Sequence, residues 1–337
     1  MVMDLLHIPG DTGGGWRLKK FGEFAHKVRA VDPLTLEEYY RRHQLNLDDT
    51  LRLFWLLAST YSEITAIVIY TDVCNDIGWS NLSPQWVEQY WRNNKPQLKF
   101  GSSRRYAKSL DWFPHLMIDF MEFSSSRPSD WLRSHLCDNP EQSYNSIYQF
   151  LMKRKFMGRF STELFLLNFT YFYLDHLWNI NIHESTQFDW RQYSNETSGL
   201  LNIFYQDDLA NEFDRSHKLS HSTIQFLDEA NEAVRRYLLK TYGEYDAAPL
   251  IYMPRICTFR NFCKQQRYAG FHHDRQLEFL LSYQKVRGNS AVIRELFDIR
   301  KSIFPNQLLG ELNGWRGIRP ERKKLFVMTG NTGAEVC

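Results

Sequence analysis

The chain has 337 residues, of which 43% are hydrophobic, 15% aromatic and 24% charged, and its formal net charge is +2. This length and apolar content allow a full hydrophobic core, and they exclude disordered, collagen-like and low-complexity proteins. Charge-free apolar stretches such as residues 164–174 are too short to cross a bilayer, so we expect no membrane partner.

The cysteines and the N-terminal segment bear on the cellular compartment. The five cysteines are odd in number and form no CxxC pair, which argues against a disulfide scaffold and a four-cysteine zinc site. The first residues lack the basic region and apolar core of a signal peptide. We therefore expect a cytoplasmic protein that holds no metal and no cofactor.

Apolar residues recur at intervals of three and four over most of the chain, which predicts an all-α protein. One long helix is expected over residues 49–77, capped by Asp48 or Asp49. Ser83 and Pro84 have the residue types of a helix N-cap and first helical position. Further helices are expected at about 105–123, 140–154, 161–179, 218–242, 272–286 and 291–303, and only residues 249–254 suggest a strand.

Three segments follow from this pattern. Residues 1–20 are predicted to be flexible, residues 21–328 to form a single helical domain with one continuous core, and residues 329–337 to form a disordered tail. Polar breaks over residues 124–128 and 183–198 are the places where that domain would subdivide.

A phosphate loop is the first chemistry to consider, because Gly10 and Gly15 have the spacing of a Walker A motif. That loop needs a lysine and a hydroxyl residue next, whereas Trp16 and Arg17 follow here. We therefore interpret this segment as flexible chain, and an ATP-dependent kinase is disfavoured.

Basic residues are clustered beside aromatic residues in three places. Each cluster alone fits a solvated helix end, but three together favour a polyanionic partner. The clusters are Arg104, Arg105 and Lys108; Lys153, Arg154, Lys155 and Arg159; and Arg316, Arg319, Arg322, Lys323 and Lys324.

The second cluster runs through Gly158 and Arg159 into a predicted helix that carries Glu163 near its start. A glycine turn before a helix directs backbone N–H groups and the positive dipole end at an anion. This arrangement resembles the hairpin by which helix-hairpin-helix DNA glycosylases hold a DNA phosphate. The alternative is an ordinary turn between two helices.

Arg260, Lys264 and Arg267 are spaced four and three residues apart, so we expect one helical face to present three cations. Such a stripe suits a diphosphate or triphosphate. Asp274 beside Arg275 could be a base with its orienting partner, or a capping carboxylate with a surface ion pair.

A further candidate lies at the end of the long predicted helix, where Asp72, Asn75 and Asp76 share one face. Carboxylates near an apolar helix end can act as general bases. The dipole at a helix C-terminus disfavours them, so they are either functional or paired with a cation from elsewhere.

Three segments, residues 157–166, 264–280 and 310–324, carry a resemblance to a known family. The chain resembles the bacteriophage alpha-glutamyl/putrescinyl thymine pyrophosphorylases, also called amino acid:DNA transferases, over roughly residues 20–325. A helical domain associated with the 5-hydroxymethyluracil DNA kinases is also similar.

The resemblance implies a mainly helical catalytic domain that acts on double-stranded DNA containing modified thymine, in the cytoplasm of an infected bacterium. Pyrophosphate on 5-pyrophosphoryloxymethyluracil would be displaced by a small amine, either an amino acid or a polyamine. That chemistry needs a carboxylate base, a cationic cradle for the leaving group and contacts to DNA. We expect the base among Asp274, Asp72 and Glu163; the cradle among Arg260, Lys264, Arg267, Arg275 and Arg159; and DNA contacts from Arg104, Arg105, Lys108, Gly158, Arg316, Arg319, Arg322 and Lys323.

Two other functions stay open at this point. One is a non-catalytic helical DNA-binding or scaffold protein of a phage modification system. The other is a glycosylase-like base-excision enzyme, which would carry a catalytic Asp or Lys shortly after its hairpin, where only Asp175 stands.

Overall fold

A computed structural model describes residues 15–29, 31–101, 110–124, 127–171, 190–191, 193–264 and 267–310. These residues form α-helices and two short 3₁₀ turns, with no strand among them, which confirms the all-α class. The helices in chain order are α1 (Trp16–Val28), α2 (Leu34–His43), α3 (Leu47–Thr60), α4 (Glu63–Asp76), α5 (Pro84–Asn94), α6 (Phe113–Ser124), α7 (Pro128–Arg133), α8 (Pro140–Met152), α9 (Arg159–Tyr171), α10 (Ser194–Ile203), α11 (Asp207–Ser216), α12 (His221–Tyr242), α13 (Glu244–Ala247), α14 (Pro249–Cys263), α15 (Phe271–Arg287) and α16 (Ala291–Ile303).

The helices divide between two compact units, where the sequence predicted one continuous core. The first unit draws on Met1–Asp32, Ile182–Arg275 and Gln307–Cys337, and the second on Pro33–Asn181 and Gln276–Asn306. Helix α1 begins at Trp16, so the predicted flexible segment 1–20 is helical over its last residues. The predicted tail 329–337 lies outside the described residues.

Aromatic side chains from two distant segments of the chain build the core of the first unit. Phe21 and Phe24 of α1 are fully buried, and their ring centroids lie 5.6 and 5.3 Å from that of Phe259 on α14. Gly199 lets α10 pack closely on α14, because a Cβ at this position would meet Ile256 at 2.6 Å.

Trp55 of α3 is the centre of the aromatic core of the second unit. It is fully buried, stacks on Phe120 of α6 at 5.0 Å, and meets Phe165 of α9 edge-on at 6.1 Å. Its indole N–H donates to the Leu116 carbonyl at 3.1 Å, so the polar end of the ring is satisfied.

The predicted helix over residues 49–77 is wrong as a single element, because the chain breaks between α3 and α4. Tyr61 adopts a left-handed conformation with φ 51°, and the Ser62 hydroxyl caps α4 by accepting the Thr65 N–H at 3.1 Å. The apolar periodicity continues across the break since both helices are buried, so the pattern gave no sign of it.

The strand suggested over residues 249–254 is also wrong, since this segment opens α14. Pro249 occupies the first turn, and helix continues past Pro254. Neighbouring side chains such as Leu250, Ile251 and Tyr252 are all buried. A segment buried on every side has no one-sided periodicity, so a short apolar run cannot distinguish a helix from a strand.

Other predicted elements agree with the structure. Ser83 accepts the Trp86 N–H at 3.2 Å and Pro84 opens α5, which confirms that helix start. The break over residues 124–128 is confirmed between α6 and α7. Residues 194–198 of the polar stretch 183–198, which was predicted as a break, form the start of α10, whereas residues 183–189 and 192 lie outside the described residues. Helix α11 was not foreseen.

Candidate functional site

The second unit contains an open polar cleft of about 500 Å³. It is formed by the last turns of α4, one side of α5, the end of α15 and the start of α16. Its lining residues are Thr71, Asp72, Asn75, Asp76, Tyr90, Asn94, Gln97, Arg287, Ser290, Ala291 and Val292. Asp72, Asn75 and Asp76, which the sequence placed on one helical face, all line this cleft.

Asp72 is held in the cleft by two donors. The Tyr90 hydroxyl donates to Oδ2 at 2.6 Å, and the Arg287 guanidinium donates to Oδ1 at 2.7 Å. The sequence left open whether this carboxylate is functional or paired with a distant cation, and it is both paired and in a cleft. An ionised carboxylate offers about four acceptor sites, so each oxygen keeps capacity for a ligand N–H.

Contact with Asp72 shifts the pKa values of both of its donors. Burial raises the pKa of the Tyr90 hydroxyl, and the Asp72 charge raises it further, so Tyr90 stays a neutral donor. Burial lowers the pKa of Arg287, but the hydrogen bond and charge of Asp72 outweigh it and raise the pKa overall. The cleft therefore presents the Arg287–Asp72 contact beside the exposed side chain of Asp76.

Glu163 lies in a different cluster of the second unit, at the hairpin between α8 and α9. Its carboxylate is 3.7 Å from the Arg159 guanidinium, and both side chains are largely buried. Burial raises the pKa of Tyr144 and Tyr148 on α8, and the Glu163 charge raises both further. Glu163 is not among the residues that line the polar cleft.

Gly158 ends the six-residue connection of this hairpin and is exposed. Its carbonyl accepts the Thr162 N–H at 3.0 Å in the first turn of α9, so the predicted turn into a helix is present. Phe156, with φ 70°, is the residue that takes the left-handed conformation in this turn.

The predicted three-cation stripe is wrong as a helical face, because α14 ends at Cys263. Arg260 and Lys264 still converge: the Arg260 guanidinium pairs with Asp214 of α11, and Lys264 Nζ lies 3.2 Å from the same carboxylate. Arg267 lies past the helix end, with its guanidinium 5.1 Å from the Phe271 ring centroid. Arg275 lies on α15 and is partly exposed.

Asp274 is completely buried in the first unit. Its Oδ2 accepts the Tyr268 hydroxyl at 2.6 Å and the backbone N–H groups of Leu309 and Gly310 at 2.6 and 2.9 Å. A carboxylate with these donors and no exposed surface serves as a structural anchor for residues 309–310. The geometry thus favours a structural role for Asp274, in place of both the base and the surface ion pair that the sequence suggested.

Sequence reasoning missed a buried ion network around Arg255 in the first unit. The guanidinium has no exposed surface, donates to Asp32 at 2.8 and 3.2 Å, and also pairs with Asp246. Burial raises the pKa of Asp32, but Arg255 and Arg29 outweigh it and lower the pKa overall. A single charge inside the apolar run 249–259 was the signal that could have revealed a buried pair.

Most predicted DNA contacts cannot be placed, since Arg104, Arg105, Lys108, Arg316, Arg319, Arg322 and Lys323 lie outside the described residues. Within the described ranges, no group of three or more His, Cys, Asp and Glu side chains could hold a metal ion. No described helix is long and apolar enough to span a bilayer. Comparison of the chain with protein-family models, curated proteins and solved structures finds no match.

Proposed function

We propose that the protein is a transferase that modifies thymine-derived bases in DNA, replacing the pyrophosphate of 5-pyrophosphoryloxymethyluracil with an amine. The observation that carries the proposal is the polar cleft, in which Asp72 is fixed between Tyr90 and Arg287. The resemblance of residues 157–166, 264–280 and 310–324 to the thymine pyrophosphorylases supports the choice of substrate.

The reaction needs few groups. The amine nitrogen attacks the exocyclic methylene carbon, the carbon–oxygen bond breaks, and its electron pair leaves with pyrophosphate. The new ammonium then loses a proton, for which Asp72 is the proposed acceptor. Arg287 is the proposed partner for negative charge that develops on the departing oxygen, since a positioned guanidinium stabilises such charge.

A product assay tests the proposal directly. The purified protein is incubated with duplex DNA that contains 5-pyrophosphoryloxymethyluracil and with a panel of amino acids and polyamines. The DNA is then digested to nucleosides for mass spectrometry. A nucleoside that has gained the amine and lost pyrophosphate is the expected result. An abasic site would indicate a glycosylase, and unchanged DNA would indicate a non-catalytic protein; either result overturns the transferase.

Replacing Asp72 with Asn tests the proposed base. The amide keeps the shape and can still accept from Tyr90, but it cannot take a proton, so turnover is expected to fall about 10²–10⁴-fold. Single-turnover kinetics on the same DNA measure the change. Asp298→Asn is the matched control because it removes an exposed carboxylate of α16 that does not line the cleft. Equal rates for the two variants would place the base elsewhere.

The second candidate function is DNA binding without catalysis. The α8–α9 hairpin favours it, because Lys153 and Lys155 are exposed beside the helix start at Arg159. A glycosylase would add a catalytic residue after this hairpin, and Asp175 lies outside the described residues. DNA binding with unchanged nucleosides in the product assay would support this function.

A further inference from the structure

Asp214 of α11 lies where two cations of the first unit converge. Its carboxylate pairs with Arg260 of α14, lies 3.2 Å from Lys264 Nζ, and accepts the Ser198 hydroxyl of α10. Two basic side chains and a hydroxyl around one oxyanion are also the donors that proteins use to hold phosphate. The carboxylate thus occupies a position that suits a phosphate group.

Arg260 has donor capacity that this pairing leaves unused. The residue is only 8% exposed, and its Nε–H has no hydrogen-bond partner among the described residues. Its Nη1 reaches the Asn195 side chain at 3.3 Å, a long contact, and its Nη2 reaches Asp214. A buried guanidinium with an unpaired N–H is costly, and a ligand with several acceptor oxygens would remove that cost.

Solvent reaches the Asp214 cluster. Its side chain is 29% exposed and that of Lys264 is 33% exposed, so one side of the cluster faces solvent. Burial raises the pKa of Asp214, but Ser198, Lys264 and Arg260 outweigh it and lower the pKa overall. Asp214 therefore stays ionised at neutral pH, so a phosphate has to compete with its charge for the two cations.

We propose that Arg260 and Lys264 form a phosphate-binding site that Asp214 occupies as an internal competitor until a phosphate-bearing ligand displaces it. The phosphate would come from pyrophosphate or from the DNA backbone. This site lies in the first unit and is separate from the cleft that contains Asp72. The inference goes beyond the proposed function and rests on it only for the identity of the ligand. A pyrophosphate brings more charge and more acceptor oxygens than a carboxylate, which is why it can compete.

Asp214→Asn tests the competitor, because the amide keeps the shape and removes the charge. Isothermal titration calorimetry with inorganic pyrophosphate is expected to show binding about tenfold or more tighter, the size typical of one charge-assisted hydrogen bond. Asp208→Asn is the matched control, an exposed carboxylate on the same helix, and is expected to bind pyrophosphate as the wild type does. Adding Arg260→Gln to Asp214→Asn should abolish the gain.

A duplex oligonucleotide without modified bases, titrated by fluorescence anisotropy, separates the two sources of phosphate. Tighter oligonucleotide binding alone would assign the site to the DNA backbone, and tighter pyrophosphate binding alone would assign it to pyrophosphate. Unchanged affinity for both probes in folded Asp214→Asn would overturn the inference. If that variant does not fold, Ser198→Ala replaces it: a smaller gain in the same direction supports the inference, and no gain overturns it.

The product assay on the same preparations separates the two proposals. An amine adduct without tighter phosphate binding in Asp214→Asn would refute the internal competitor alone. Tighter binding without any adduct would refute the transferase alone and keep the phosphate site.

Discussion

Arg255 is a charge with no contact to water, held between Asp32 and Asp246. Arg29 and Tyr245 also donate to Asp32, at 2.6 and 3.1 Å, so several groups share this network. The free-energy cost of removing these ions from water is offset only when every partner is present. The network is therefore sensitive to the loss of any one member.

Arg255→Met is expected to lower the free energy of unfolding by about 3–5 kcal/mol, because it leaves buried carboxylates without their main counter-charge. Urea denaturation followed by circular dichroism measures the change. The control is Arg41→Met, which removes an exposed pair with Glu38 and should cost about 0–1 kcal/mol. Similar midpoints for the two variants would show that the buried network adds little stability.

At the scale of residues, the sequence indicated candidate side chains but not the side chains that they contact. Asp72 was identified as a candidate from the end of its helix, but Arg287 lies 215 positions further along the chain. Arg260 and Lys264 were correctly taken as neighbours, whereas their shared partner Asp214 came from a helix that was not predicted. Sequence spacing reveals contacts within one helix and carries no information on contacts between helices.

At the scale of elements, several helices end on a non-glycine residue in the left-handed conformation. Arg29, Gln44, Tyr61 and His217 have φ between 45° and 52°. Side chains disfavour this conformation, and glycine adopts it without that cost. Tyr61 lies at the break between α3 and α4, and its hydroxyl oxygen is 2.8 Å from the Ser161 hydroxyl oxygen.

Gln44→Gly is expected to stabilise the protein by about 0.5–1 kcal/mol, since Gln44 is exposed at the end of α2 and glycine relieves its backbone conformation. Thermal unfolding measures the gain. Gln44→Ala removes the same side chain without relieving the backbone, so it separates the two effects. A gain of equal size in both variants would exclude the conformational explanation.

Helices with one buried face were predicted nearly to their ends, as for α12 and α16. The errors fell where burial has no preferred side, at the α3–α4 break and in α14. In both places contacts between helices determine the local structure, and the spacing of apolar residues does not reveal those contacts.

At the scale of the whole molecule, the expected partner is a polyanion. Replacing Arg316, Arg319 and Arg322 together with Ala should weaken binding to all duplex sequences alike. The log–log salt slope should fall by about 0.9 for each phosphate contact that is lost. Fluorescence anisotropy at several salt concentrations measures both quantities. An unchanged affinity and slope would remove this cluster from the DNA interface.

The packing of α1 on α14 also has a consequence during translation. The ring of Phe24 packs against Phe259 and Phe262, which the ribosome adds about 230 residues later. At typical synthesis rates of about 5–20 residues per second, that interval lasts about 10–50 s. Throughout that interval the apolar side of α1 lacks these two partners, so we expect chaperones that bind nascent chains to recognise this helix.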